Sequence, residues 1–112
     1  MDRRAMIREY KETPRPAGVY RVVHTPSGRT LLGSSPDAPA RLNRVQTQLR
    51  TRGHPNRALQ GDWDQDGPDA FAFEVLDLLP PREDEGGDPE ADLRLLEELW
   101  REKLGLAADA LY

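Results

Sequence analysis

One glutamate stands out because it lies beside apolar residues of a predicted helix. Glu97 follows Leu93 by four residues and precedes Trp100 by three, which places it on the edge of an apolar stripe. A carboxylate that is partly desolvated beside a core needs a cation or a hydrogen-bond donor. The position is therefore compatible with two roles, a salt bridge to an arginine or a metal ligand.

Two arginines near the amino end of another predicted helix raise a similar question. At about 100° per residue, Arg41 lies about 70° from the middle of the stripe formed by Leu42, Val45 and Leu49, and Arg44 about 130°. Arg41 thus borders the packed face, while Arg44 is directed towards solvent. Guanidinium groups and helix amino ends both suit phosphate, although a solvated helix face is the commoner role of a single arginine.

The elements that must position these residues follow from hydrophobic periodicity and turn signals. The pattern predicts a helix, two strands joined by a short turn, two helices, a strand and a final helix. Their approximate ranges are residues 3–11, 18–24, 30–35, 36–52, 56–67, 70–79 and 89–104. This order predicts a single α+β domain over residues 1–112, with a small three-stranded antiparallel sheet flanked by helices.

Local signals also predict helix ends. Ser35 is expected to cap the helix that carries the arginines, with Pro36 as its first residue and Gly53 at its stop. The last helix is expected to begin after Asp88 and to stop at Gly105. Residues 80–89 are predicted to be a flexible polar loop.

Two apolar sets are predicted to face the core. One lies on the third strand and consists of Phe71, Phe73 and Val75. The other is the stripe of the last helix, which consists of Leu93, Leu96, Leu99, Trp100 and Leu104.

Composition and charge narrow the function classes. The 112 residues include no cysteine, which excludes disulfide frameworks, zinc ribbons and thiol nucleophiles. No signal peptide or long apolar run is present, so a soluble, cytoplasmic protein without a membrane partner is expected.

The two halves of the chain differ in charge. Residues 1–62 hold 12 basic and 5 acidic residues, a net charge of +7, whereas residues 63–112 hold 4 basic and 15 acidic residues, a net charge of −11. This asymmetry predicts a basic surface for an anionic partner, unless the two halves interleave in the fold.

A rival motif is the acidic run "DWDQDG", in which Asp62, Asp64 and Asp66 have the spacing of a calcium-binding loop. Such a loop also needs a bidentate glutamate at position twelve, and Phe73 stands there. Calcium binding is therefore not expected. A Gly-rich phosphate loop and a nucleophile elbow are also absent from the sequence.

Four segments in order resemble the GIY-YIG nuclease family. They are "GVY" ten residues before "LLG", then "GSSPDAPARLNR", then "GHPNRALQGDWDQDGPDAFAFEVLD", which resembles a bacterial branch, and "LLEELWREKLG". The similarity covers about residues 15–105 and implies a GIY-YIG nuclease-like fold. It also implies a metal-dependent endonuclease that hydrolyses phosphodiester bonds in nucleic acid, with DNA as the expected partner.

The resemblance assigns roles residue by residue. It implies that Tyr20 helps to activate the attacking water, that Arg41, or Arg44 one turn later, stabilises the scissile phosphate, and that His54 supports the site. Glu97 is implied to hold a single Mg²⁺ or Mn²⁺ ion. Positive charge from Arg41 and the metal is expected to lower the pKa of the tyrosine.

The glycine-serine step completes the implied nucleic-acid site, because Gly33 and Ser34 are expected to leave room for a phosphate beside the backbone. The sequence also departs from the family. Leu31 replaces the second signature tyrosine, Val45 stands where many members carry a histidine, and "LGLAADALY" lacks an asparagine that often follows the glutamate helix. A catalytically impaired nucleic-acid-binding module on the same fold therefore remains the alternative to a nuclease.

Overall fold

The computed structural model describes residues 16–80 and 88–112. These ranges contain three strands and three longer helices, which are numbered in chain order. They are β1 (Gly18–His24), β2 (Thr30–Ser35), α1 (Ala38–Arg50), α2 (Arg57–Asp66), β3 (Phe71–Leu78) and α3 (Pro89–Leu104). The helix predicted at residues 3–11 and most of the loop predicted at 80–89 lie outside the described residues.

The sheet is antiparallel throughout, as predicted, with the strand order β2-β1-β3. Tyr20 on the central strand is paired with Gly33 on β2 and with Val75 on β3. The next pair on β3 is Val19 with Asp77, so one extra residue of β3 forms a bulge at this point. The central strand is thus the element that brings Tyr20 next to Gly33.

The sheet is covered on both faces. Side chains of successive strand residues point to opposite faces, and Val19 and Tyr20 are both buried. The face that includes Tyr20 packs against α1 and α2, and its core consists of Tyr20, Val22, Ala38, Leu42, Val45, Leu49, Leu59, Trp63 and Phe71. Helix α3 contacts β1 and β2 and contributes Leu93, which is buried outside that core cluster together with Val19.

The predicted ends of α3 are confirmed, whereas those of α1 are wrong. Asp37, and not Ser35, is the N-cap of α1, because its carboxylate accepts the Ala40 N–H at 3.1 Å. The Ser35 side chain is buried and holds the preceding turn through the backbone of Asp37. At the other end, Arg52 and not Gly53 adopts the left-handed conformation, with a φ of 61°.

Two apolar residues that were predicted to be in the core are exposed. Val75 has 38% of its surface exposed, near the β3 bulge and the open edge of the sheet. Leu99 is 53% exposed, because the apolar stripe of α3 is wider than the part of the helix that the sheet covers. No helix in the described ranges has the length and the apolar character needed to cross a membrane.

Candidate active site

The Tyr20 ring lies directly over Gly33, its partner on β2. A Cβ atom built at Gly33 would be 2.5 Å from the Tyr20 hydroxyl oxygen and 2.6 Å from Cζ, closer than real Cβ contacts allow. The Tyr20 ring can occupy this position only because residue 33 has no side chain. The sequence predicted that this room accommodates a phosphate, but on the Cβ side the phenol fills it.

The Tyr20 hydroxyl is free although most of the residue is buried. Only 8% of Tyr20 is exposed, and its hydroxyl has no hydrogen-bond partner among residues 16–80 and 88–112. Buried side-chain oxygens and nitrogens in these ranges all have partners. The hydroxyl must therefore reach solvent, where a water molecule or a substrate oxygen can bind it.

Arg41 of α1 and Glu97 of α3 both act electrostatically on this phenol. Burial is the largest influence and raises the pKa of Tyr20 above its ordinary value; the Arg41 guanidinium lowers this pKa, and the Glu97 carboxylate raises it. Such effects require both charges to lie near the ring. The fold thus brings together three residues from β1, α1 and α3.

Without a metal, the pKa of Tyr20 shifts in the opposite direction to the one expected for Arg41 and a metal together. Arg41 acts in the predicted sense, but burial outweighs it and the pKa is raised. The protein alone therefore keeps the phenol protonated at neutral pH, so that it can donate one hydrogen bond and accept others.

The other predicted site residues are placed less centrally. Arg44 is exposed one turn after Arg41, and it is not among the charges that shift the pKa of Tyr20. Ser34 is half-buried on β2, opposite Val19, so its side chain points to the other sheet face from that of Tyr20.

His54 lies in the connection between α1 and α2. Its Nδ1 accepts the Asn56 N–H at 3.0 Å, which leaves the proton of the neutral ring on Nε2. Partial burial lowers the pKa of His54, so the imidazole is neutral at pH 7. Its backbone N–H donates to Gln60 Oε1 of α2 at 3.1 Å, and neither Tyr20 nor Glu97 affects its pKa.

The Glu97 carboxylate is accessible enough to bind a metal ion. Its side chain is 24% exposed, and its Oε2 lies 3.5 Å from Nη2 of Arg101, a long ion pair within α3. A single carboxylate fits Mg²⁺ or Mn²⁺, because such ions are often held by one or two carboxylates, with waters and substrate phosphate supplying the remaining ligands. No group of three or more potential metal-ligating side chains occurs in the described part of the chain.

The acidic run of α2 has structural partners. All three aspartates lie on a helix and not in a loop: Asp66 accepts from His24 Nε2 at 2.6 Å, Asp62 from the Tyr112 hydroxyl at 2.5 Å, and Asp64 from Gln60 Nε2 at 3.0 Å. No local sequence pattern indicates these hydrogen bonds, because the bonded residues are up to 50 positions apart.

A Gly33→Ala variant tests the contact between β2 and the phenol. We expect the added methyl to displace the Tyr20 ring and to destabilise the fold by about 1–3 kcal/mol. Thermal unfolding measures this loss.

The matched comparison is the same change in a Tyr20→Phe background. Most of the loss of stability should persist there, because the built Cβ lies 2.6 Å from the ring carbon Cζ as well as 2.5 Å from the hydroxyl oxygen. Unchanged thermal unfolding on adding Gly33→Ala in both backgrounds would contradict the contact between Gly33 and the ring.

Comparison with known proteins shows a relationship in fold. No protein-family model matches the sequence, and no curated protein sequence is significantly similar. Two solved structures are similar, the catalytic domain of the homing endonuclease I-TevI and a mutant of the same intron endonuclease domain. Each has a TM-score of 0.62 and 20% identity over 80% of this chain, and the matches cover 88% and 84% of those domains. The predicted GIY-YIG nuclease-like fold is thus confirmed.

Proposed function

We propose that this protein is a metal-dependent endonuclease that hydrolyses phosphodiester bonds in DNA. The observation that carries the proposal is the free, water-accessible hydroxyl of a buried tyrosine whose pKa responds to both an arginine and a glutamate. The fold similarity to an endonuclease catalytic domain supports nuclease function in general. Tyr20, Arg41 and Glu97 are the proposed catalytic residues.

Each residue has a role that follows from its chemistry. The Tyr20 hydroxyl accepts a proton from the attacking water and passes its own proton to a phosphate oxygen of the substrate, so that the water becomes a nucleophile and the phenol stays neutral. The Arg41 guanidinium binds the scissile phosphate and neutralises the negative charge that develops on it. His54, neutral at pH 7, is proposed to support the phosphate through its protonated Nε2.

Glu97 is proposed to hold one Mg²⁺ or Mn²⁺ ion, with waters and substrate oxygens as the other ligands. When bound, such an ion supplies stabilisation of charge on the phosphate and on the departing oxygen. Arg101 is a weak competitor for the same carboxylate, since it lies 3.5 Å away and is half-exposed.

A nucleic-acid-binding module without catalysis is the second candidate. It is favoured by Leu31, which packs against the core and offers no hydroxyl where the resembling family has a tyrosine. The two candidates differ in turnover and not in binding, so a cleavage assay separates them.

The test is conversion of supercoiled plasmid to the nicked form with Mg²⁺, with Mn²⁺ and with EDTA. We expect nicking with either ion and none with EDTA. Tyr20→Phe should slow the reaction by about 10²–10⁴, the usual contribution of a positioned proton-transfer group.

Tyr112→Phe is the matched control, because it removes a hydroxyl that is bonded to Asp62 and not free. It should retain cleavage at temperatures at which the variant is folded. Plasmid binding without nicking by the wild-type protein in either metal would refute the endonuclease and support the binding module.

A further inference from the structure

The segment of residues 38–61 is the most cationic part of the described surface. It contains five arginines and no aspartate or glutamate. All five side chains are exposed: Arg41, Arg44, Arg50, Arg52 and Arg57. The proposed site uses only the first two, so the other three have no role in it.

These arginines are largely unpaired. Within the described ranges only Arg52 has a carboxylate as near as 4.0 Å, that of Asp64, and the Arg52 side chain is 82% exposed. Among the other described arginines, Arg21 is 2.6 Å from Glu74 and Arg29 lies over the Tyr112 ring at 4.7 Å, whereas Arg94 on α3 has no ion pair with a described residue. The free guanidinium groups are thus concentrated in one segment, where they can bind an anion without first losing a partner.

The helix places its three arginines on a diagonal. Viewed along the helix axis, Arg44 lies about 60° around α1 from Arg41, and Arg50 lies about 180° around in the same sense. Arg50 is also about 13 Å further along the axis than Arg41. This path crosses the solvent-facing half of α1 from one flank to the other. Arg52 and Arg57 follow in the chain, in the α1–α2 connection and at the start of α2.

The exposed carboxylates of α3 do not pair with this cationic segment. They are Glu90, Glu98 and Glu102, and none of them forms an ion pair with residues 38–61. Glu97 of α3 acts with Arg41 on the Tyr20 phenol. Among the described residues, the acidic half of the sequence therefore forms one long ion pair with this segment, that of Asp64 with Arg52.

We propose that these five arginines form one phosphate-binding face, and that Arg50, Arg52 and Arg57 bind the backbone of a nucleic-acid duplex away from the cut. This inference rests on the proposed function, which places the scissile phosphate at Arg41. An axial distance of about 13 Å corresponds to about four base pairs of a duplex at 3.4 Å each.

The chemistry of the face favours a duplex over a single strand. Residues 38–61 include no tryptophan, tyrosine or phenylalanine. Proteins that bind single strands without sequence preference stack the bases on aromatic side chains. A face of guanidinium groups alone is suited to the regularly spaced phosphates of a duplex.

The salt dependence of binding tests this face. Fluorescence anisotropy in EDTA, which prevents metal-dependent cleavage, gives the affinity for a labelled duplex over a range of salt concentrations. We expect Arg50→Gln and Arg57→Gln each to reduce the slope of log K against log salt by about 0.9, the value for one lost phosphate contact. An oligothymidylate of the same length should bind more weakly than the duplex.

Arg94→Gln is the charge-matched control, because Arg94 is exposed on α3 and has no ion pair among the described residues. Its slope should equal that of the wild type. Equal slopes for all three variants, or tighter binding of the oligothymidylate, would overturn the inference even if the wild type cleaves DNA. Duplex binding that depends on these arginines, without cleavage in any metal, would support the phosphate-binding face and refute the proposed nuclease activity.

Discussion

Arg41→Ala is expected to lower kcat for DNA cleavage by about 10²–10³, with a smaller effect on KM. The reason is that its guanidinium lies near the Tyr20 phenol and makes no ion pair within residues 16–80 and 88–112. Removal of one preorganised donor directed at developing charge typically costs about 3–4 kcal/mol of transition-state stabilisation. Single-turnover kinetics with excess enzyme measure the chemical step directly.

Arg44→Ala is the matched comparison, since it removes the same group one turn along the same exposed face of α1. We expect it to raise KM and to leave most of kcat, because Arg44 does not act on the phenol. A larger loss of kcat for Arg44→Ala than for Arg41→Ala would reverse the assignment of the catalytic arginine.

Glu97→Gln is expected to reduce cleavage by about 10²–10³ or more, since metal stabilisation of the transition state is worth several kcal/mol. Glutamine keeps the size of the side chain and removes the charge that attracts a divalent ion. Higher Mn²⁺ concentration should restore part of the activity. Glu98→Gln, an exposed neighbour on α3, should show neither the loss nor the rescue.

The proximity of Tyr20, Arg41 and Glu97 can also be tested by a measurement that does not depend on activity. Glu97 raises and Arg41 lowers the pKa of Tyr20, so Glu97→Gln should move this pKa down and Arg41→Ala should move it up. Isotope-labelled tyrosine NMR over an alkaline pH series measures both shifts. Unchanged Tyr20 titration in both variants would show that the charges do not act on the phenol.

Local patterns were sufficient to predict most elements. The ends of α3 were correct because Asp88, Pro89 and Gly105 carry capping signals that need no tertiary contact. The cap of α1 was wrong because Ser35 and Asp37 are both good caps, and burial of Ser35 in the turn before the helix decides between them. Leu99 was misplaced because periodicity shows an apolar stripe but not how much of it the sheet covers.

The sequence by itself determined the order of strands and helices, the run of arginines between residues 38 and 61, and the positions of Arg41 and Glu97 beside apolar stripes. These depend on spacing and charge along the chain, whereas the role of Tyr20 was implied by the family resemblance. Only the tertiary structure decided that the Tyr20 ring lies over Gly33, that its hydroxyl stays free, and that its pKa is raised and not lowered. The physical reason is desolvation: elements far apart in the chain enclose the phenol, and their packing outweighs the charge of one nearby arginine.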